Sequence, residues 1–317
     1  MKQVEKLGER LFLIDDFDLK LEERTGTYIL LDEQITIIET CASPSLPYIL
    51  QGLKELDIKP DQVAYIIVTH VHLDHAGAAG LLMEQCKHAK LIVHPRGARH
   101  MIDPAKLIKG AQAVYGNQFD ELFHPIVPIP EERVISVQDG YTLHISADRT
   151  LTFYDTPGHA KHHISIHDSL TNGMFTGDTI GVYYRDLQQY NVGFYLPTTS
   201  PSQFDPGEML HSMYRIRQLN PDFIYFGHYG KSANPQEVYE HVETWLPVFL
   251  SAAQDVFSSE TDTAIMASVV SNRLFTTVRA YLTERGVPED AKAYKALQID
   301  MDICAMGLVD YLQRQDK

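Results

Sequence analysis

Within the run Thr69-His70-Val71-His72-Leu73-Asp74-His75-Ala76-Gly77, four side chains that can bind a metal ion, His70, His72, Asp74 and His75, fall inside six residues. Imidazole and carboxylate together suit zinc, and also iron or manganese. The β-branched run from Val63 to Thr69 reads as a buried strand, and Ala76 to Gln85 reads as a helix. The motif is therefore expected in the turn at a strand's carboxyl end. His70 and His72 can point one way there while Asp74 and His75 point another, so that one short segment serves two adjacent ions.

Further candidates follow, each at the end of another strand-like run: His159 after Leu151–Tyr154, Asp178 after Met174–Gly177, and His228 after Phe223–Gly227. In the last two the apolar run stops at a glycine, as expected where backbone turns close beside a ligand. A single histidine at a strand end is usually a hydrogen-bonded polar residue; it is their joint occurrence that points to a metal centre. His162 and His163 are expected to support or pack around it.

These motifs resemble the metallo-β-lactamase superfamily from about residue 10 to about residue 230. The resemblance implies that His70, His72 and His159 hold a first metal, that Asp74, His75 and His228 hold a second, and that Asp178 bridges both. The stretches Val93–Pro104 and Pro157–Ser165 are similar to a subgroup close to glyoxalase II and the N-acyl-homoserine-lactone lactonases. One position departs from the family pattern. Where an Asp-Thr-Gly usually follows the early hairpin, Glu39-Thr40-Cys41 stands here. Glu39, a methylene longer than aspartate, is expected to orient His228 by accepting its free N–H. Cys41 falls near the metal side of the fold.

The elements that must position these residues follow in order. Arg10–Ile14, Thr27–Leu31 and Ile35–Glu39 read as an antiparallel meander turning at Asp32-Glu33-Gln34. Next come a helix opening at Ser43-Pro44, the Val63 strand, the Ala76 helix, the Leu91 strand and a helical stretch from Pro104 to Tyr115. Val134 to Phe226 repeats the theme, with Asp205 and Pro206 opening a helix. The fold class is α/β (α+β), and the resemblance implies the four-layer αββα sandwich. After His228 the strand-like runs stop. Asn234-Pro235 opens a helical region with patterns over Val238–Ala253, Asp262–Arg285 and Asp290–Leu312, the middle one ended by Gly286 and Pro288. Residues 1–230 are expected to form the catalytic domain and 231–317 a helical appendage: a lid or substrate wall, or a stabilising cap or dimer surface.

Composition narrows the function. The 317 residues, 44% hydrophobic, can bury a large core, and no apolar run reaches bilayer length. The amino terminus lacks a signal peptide's apolar segment, and three scattered cysteines fit a reducing compartment, so the expected location is cytoplasmic. With 27 Lys and Arg against 42 acidic residues and a net charge of −15, a nucleic-acid partner is not expected. The expected partner is a small molecule, a homodimer is compatible, and no membrane partner is expected.

Two cations sharing Asp178 would lower the pKa of a bridging water from 15.7 to about 7. The resulting hydroxide is the expected nucleophile on an ester, thioester or lactone carbonyl, with the other metal or Asp74 assisting the leaving group. No Gly-x-Ser-x-Gly elbow offers another nucleophile. Between Asp178 and Asp205, residues Gly181 to Tyr190 carry three tyrosines and one arginine and are expected to line the substrate pocket. Tyr183 is the candidate oxyanion donor, and Arg185 and Tyr190 are candidate substrate contacts. The cofactors expected are two divalent ions, zinc first, with iron or manganese as alternatives. The rival readings are a mononuclear iron oxidoreductase similar to the persulfide dioxygenases and a non-catalytic metal-binding protein. Flavodiiron oxidoreductases fit less well, since they usually carry glutamate where His72 stands. β-Lactam hydrolysis is not expected, since those enzymes are secreted.

Overall fold

The structure, a computed structural model, describes residues 3–258 and 262–316. By contacts the chain forms two compact units. The first comprises the chain up to Asp155, His162–Gly177 and Pro221–Ala233; the second comprises Thr156–Lys161, Asp178–Asn220 and the chain from Asn234 onward.

The first unit holds two sheets. One contains β1 (Val4–Gly8), β2 (Leu11–Asp15), β3 (Gly26–Leu30), β4 (Ile35–Ile38), β5 (Val63–Ile67), β6 (Lys90–Val93) and β7 (Val134–Ser136), in that order. β1 to β4 pair antiparallel, the expected meander, and β4 to β7 pair parallel. The parallel strands are joined through α1 (Leu46–Glu55), α2 (Leu73–Ala76), α3 (Ala79–Gln85), α4 (Pro95–Ile102), α5 (Ala105–Tyr115) and α6 (Phe119–Phe123). The other sheet contains β8 (Thr142–His144), β9 (Thr150–Asp155), β10 (Ile164–Asp168), β11 (Gly173–Gly177), β14 (Phe223–Phe226) and β15 (Gly230–Ser232), ordered β15-β14-β11-β10-β9-β8.

Side chains alternate across the first sheet, as a two-residue period dictates. Ile29, Ile37, Ile66 and Leu91 pack with Ile49 and Leu53 of α1, Leu82 and Met83 of α3 and Met101 of α4. Their neighbours Tyr28, Leu30, Ile38 and Ile67 face the second sheet's Phe153, Ile166, Phe175 and Tyr225. Register is thereby fixed, because a slip of one residue would exchange the two faces.

A buried ion network ties the sheets together. Arg149, fully buried, donates two 2.8 Å bonds to the Asp168 carboxylate and one of 2.6 Å to Asp32. Burial alone would lower the Arg149 pKa, but Asp168 and then Asp32 raise it and hold the guanidinium charged. Arg149→Ala removes the cation from the buried Asp168 carboxylate and leaves Asp32 only Arg10, at 2.9 Å, and is expected to cost about 3–5 kcal/mol, measurable by urea unfolding. Unchanged stability would show that the network carries no net weight.

The second unit holds β12 (Val182–Tyr183) paired antiparallel with β13 (Tyr195–Leu196), and helices α7 (Pro206–Gln218), α8 (Pro235–Gln254), α9 (Thr263–Glu284) and α10 (Ala293–Gln315). The expected caps form: Asp205 accepts from the Gly207 and Glu208 amides, and Asn234 from that of Glu237. The helices beyond 231 do not pack by themselves. Their core takes in Val182, Tyr184, Leu187, Phe194, Phe204 and Met209 alongside Trp245, Phe249, Val270, Leu274, Leu297 and Met301. The Tyr184 hydroxyl donates to Asp300 at 2.7 Å. Among the described residues no helix is long and apolar enough to cross a membrane, and Cys41, Cys86 and Cys304 are free and buried.

Candidate metal centre

In the first unit, β5 ends at Ile67 and delivers His70, buried, and His72, half-buried. The expected single helix from Ala76 is instead two, and Asp74 and His75 lie on the earlier one, α2, rather than in an open turn. Its first bonds run from the His75 and Ala76 amides to the His72 carbonyl at 3.0 and 2.8 Å. The Thr40 hydroxyl and amide both donate to the His75 carbonyl at 2.9 Å, so the main chain of His75 is clamped from β4's far end.

Glu39 acts on the His75 side chain. Its Oε2 lies 2.8 Å from His75 Nδ1, and its Oε1 accepts the Thr69 amide at 2.9 Å. The expectation that Glu39 orients His228 is therefore corrected. Glu39 stands in the left-handed region, φ 69°, where α2 lies within reach, and its additional methylene lets one carboxylate span both His75 and the backbone before His70. A carboxylate on Nδ1 makes Nε2 the atom with which His75 could bind a metal ion.

His228 arrives from the end of β14. Ligand atoms of Asp74, His75 and His228 lie within 4.8 Å of one another. His228 Nε2 is 3.4 Å and His75 Nε2 3.8 Å from Asp74 Oδ2. Asp74 is the exposed member, its side chain 28% accessible against 6% for His228. Beside this triad, His70 Nε2 faces His72 Nδ1 at 3.1 Å. Bonds of 2.0–2.1 Å at a tetrahedral angle would set two ligand nitrogens roughly 3.3 Å apart, so the pair fits a common ion. Both glycines singled out in the sequence are required. A Cβ on Gly227 would lie 2.5 Å from His75 Cε1, and Gly177 has φ 46° with Thr69 Oγ1 and His163 Nε2 where a Cβ would stand.

In the second unit, His159 and Asp178 come together, His159 Nε2 standing 3.6 Å from Asp178 Oδ2. Thr198 joins them: its hydroxyl hydrogen-bonds His159 Nδ1 and lies 3.2 Å from the Asp178 carbonyl. Nδ1 engaged in this way makes Nε2 the atom with which His159 could bind a metal ion, as in His75. Tyr183 is buried in β12 with its ring stacked on Tyr195, centroids 4.8 Å apart. Arg185 and Tyr190 bound a 3₁₀ turn, and Tyr190 packs on the helical core.

Three contributors escaped the sequence reading. Thr198 carries no motif. Asp18 and Arg24, on the loop between β2 and β3, form a buried ion pair at 3.3 Å. Burial raises the Asp18 pKa, Arg24 opposes the rise, and Asp74, His228 and His75 also act on it, so this loop belongs to the electrostatic surroundings of the triad. The only sequence signal was the density of charge from Asp15 to Arg24.

The sequence model of the metallo-beta-lactamase superfamily matches residues 24–228. The metallo-beta-lactamase fold-containing protein ST1585 of Sulfurisphaera tokodaii is 29% identical over 189 residues, 59% of this chain and 67% of that protein. The rubredoxin-oxygen oxidoreductase of Megalodesulfovibrio gigas is 28% identical over 131 residues, 41% of this chain but 27% of that enzyme. Among solved structures, ST1585 from Sulfolobus tokodaii superposes with a TM-score of 0.66 at 22% identity, covering 95% of this chain and 98% of its own. The metallo-beta-lactamase family protein TTHA1429 from Thermus thermophilus gives 0.68 at 18%, covering 98% and 95%. The α/β fold expected from the sequence is the fold of these proteins. A family match spanning residues 24–228, more than half the chain, in a fold that brings Asp74, His75 and His228 together, establishes that this chain belongs to the metallo-β-lactamase superfamily, whose members are mostly metal-dependent hydrolases.

Proposed function

We propose that the chain is a dinuclear metal-dependent hydrolase acting on an ester, thioester or lactone carbonyl of a small molecule. The observation that carries this reading is the triad of Asp74, His75 and His228 with the Glu39 carboxylate behind His75, an arrangement suited to a divalent cation. In this reading His70, His72 and His159 hold one ion, the triad holds the second, and Asp178 is shared. The donor set of imidazoles and carboxylates favours zinc, with iron or manganese also accommodated. When bound, the two ions supply Lewis acidity and a water whose pKa is lowered to about 7.

The chain's own residues do the remainder. Glu39 and Thr198 keep His75 and His159 in the tautomer that presents Nε2. Asp74, the accessible carboxylate, would take the proton released by the attacking water and pass it to the leaving group. Tyr183 donates to the developing oxyanion, and Arg185 and Tyr190 hold the substrate's polar end. The C-terminal helices, with the Val182–Phe204 segment that shares their core, serve as substrate wall or dimer surface, in a cytoplasmic enzyme.

The test is turnover of a panel of thioesters and lactones by zinc-loaded chain. Hydrolysis that is abolished by chelator and restored by zinc is expected. A second reading is an iron oxidoreductase similar to the persulfide dioxygenases; the distant match to a rubredoxin-oxygen oxidoreductase supports oxidoreductase chemistry in general. Oxygen uptake with a persulfide substrate by iron-loaded chain, without hydrolysis by the zinc form, would replace the first reading by the second.

A further inference from the structure

His162 follows His159 by three residues, yet it belongs to the first unit and is buried there against the HxHxDH segment. Its ring is perpendicular to that of His72, centroids 5.5 Å apart at 89°, and parallel to that of His70, 6.3 Å apart at 12°. Its Nδ1 accepts the amide of Val71, the residue between those two ligands, at 3.4 Å. An imidazole that accepts through Nδ1 is neutral with its proton on Nε2.

The Val71 bond is one of several tethers on this short segment, whose far end is held where the His72 carbonyl accepts the His75 and Ala76 amides. The Thr69 amide donates to Glu39 at 2.9 Å, and the Thr69 carbonyl accepts the Ile164 amide at 2.8 Å. Both ligand side chains branch from this stretch of main chain, so their ring positions depend on whether the peptide between them is held. Thr69 and its tethers fix the segment before His70. The bond from Val71 to His162 fixes it between His70 and His72.

We propose that His162 is a positioning residue for the His70–His72 pair, acting through the Val71 amide and through ring contact rather than as a ligand. The proposal rests on the metallohydrolase reading and deepens it. Three variants of the full chain separate acceptor from bulk. His162→Phe keeps a ring but has no acceptor. His162→Asn places an amide oxygen near the position of Nδ1. His162→Gln stays polar but carries its oxygen one bond too far.

Two quantities are read: zinc affinity by competition with a chromophoric chelator, and exchange protection of the Val71 amide by NMR on metal-free chain. The Phe and Gln variants are expected to lose roughly 10–100-fold in affinity, the range for groups that orient metal ligands, together with Val71 protection. The Asn variant is expected to keep both near the wild-type level. Wild-type affinity in the Phe or Gln variant overturns the proposal, as does an Asn variant no better than Phe, or a Val71 amide equally protected in all. A wild-type chain that takes up no zinc would overturn the metallohydrolase reading and the proposal together, an outcome distinct from full binding in wild type and Phe variant alike.

Discussion

Replacing His72 or Asp178 by alanine is expected to strip metal from the chain and reduce hydrolysis on the order of a thousand-fold or more, with the fold retained. Metal polarisation of a carbonyl is worth several kcal/mol, and each 1.4 kcal/mol is a decade of rate. Retention of the fold follows from what each residue's main chain does. The His72 carbonyl starts α2 whatever side chain it carries, and the Asp178 carbonyl accepts from Gly181 at 3.1 Å as well as lying near Thr198. Metal content, turnover and thermal melting of the two variants check this. Full turnover in either one would show that the reaction does not use the shared site.

The Glu39 series is expected to give the second largest effect. Glu39→Gln keeps size and can still accept the Thr69 amide, but it presents a neutral amide to His75 Nδ1. Metal affinity is expected to fall roughly 10–100-fold. Glu39→Ala adds a penalty, because the buried Thr69 amide loses its acceptor at a cost of about 1–3 kcal/mol. Glu39→Asp keeps the charge but lacks the length to span both partners, so it should fall between Gln and wild type. Chelator competition measures the first effect and thermal melting the second. A Gln variant with undiminished affinity would mean that His75 is held by α2 and Thr40 alone.

That series also marks where sequence reading ends. The placement of the candidate residues at strand ends was legible because strand, glycine and candidate follow one another locally, and the caps at Asp205 and Asn234 are local hydrogen bonds between a side chain and amides two or three residues on. Glu39 could be singled out as unusual, but not its target, because reaching His75 rather than His228 depends on a left-handed turn and on a helix 36 residues away. Thr198 finds His159 across 39 residues with no motif at all. The division of the chain was illegible for the same reason: the segment from Val182 to Phe204 reads as a loop after Asp178, yet its apolar side chains are core partners of α8 to α10. His162 stood in plain view beside a ligand, but which of its nitrogens meets Val71 is set by tertiary packing.

A dinuclear hydrolase must hold two divalent ions per chain. Metal content per chain, by inductively coupled plasma mass spectrometry on protein purified without a histidine tag, tests it most directly. About two zinc or manganese ions per chain is the expected result; a single iron, or a reproducible absence of metal, would contradict it.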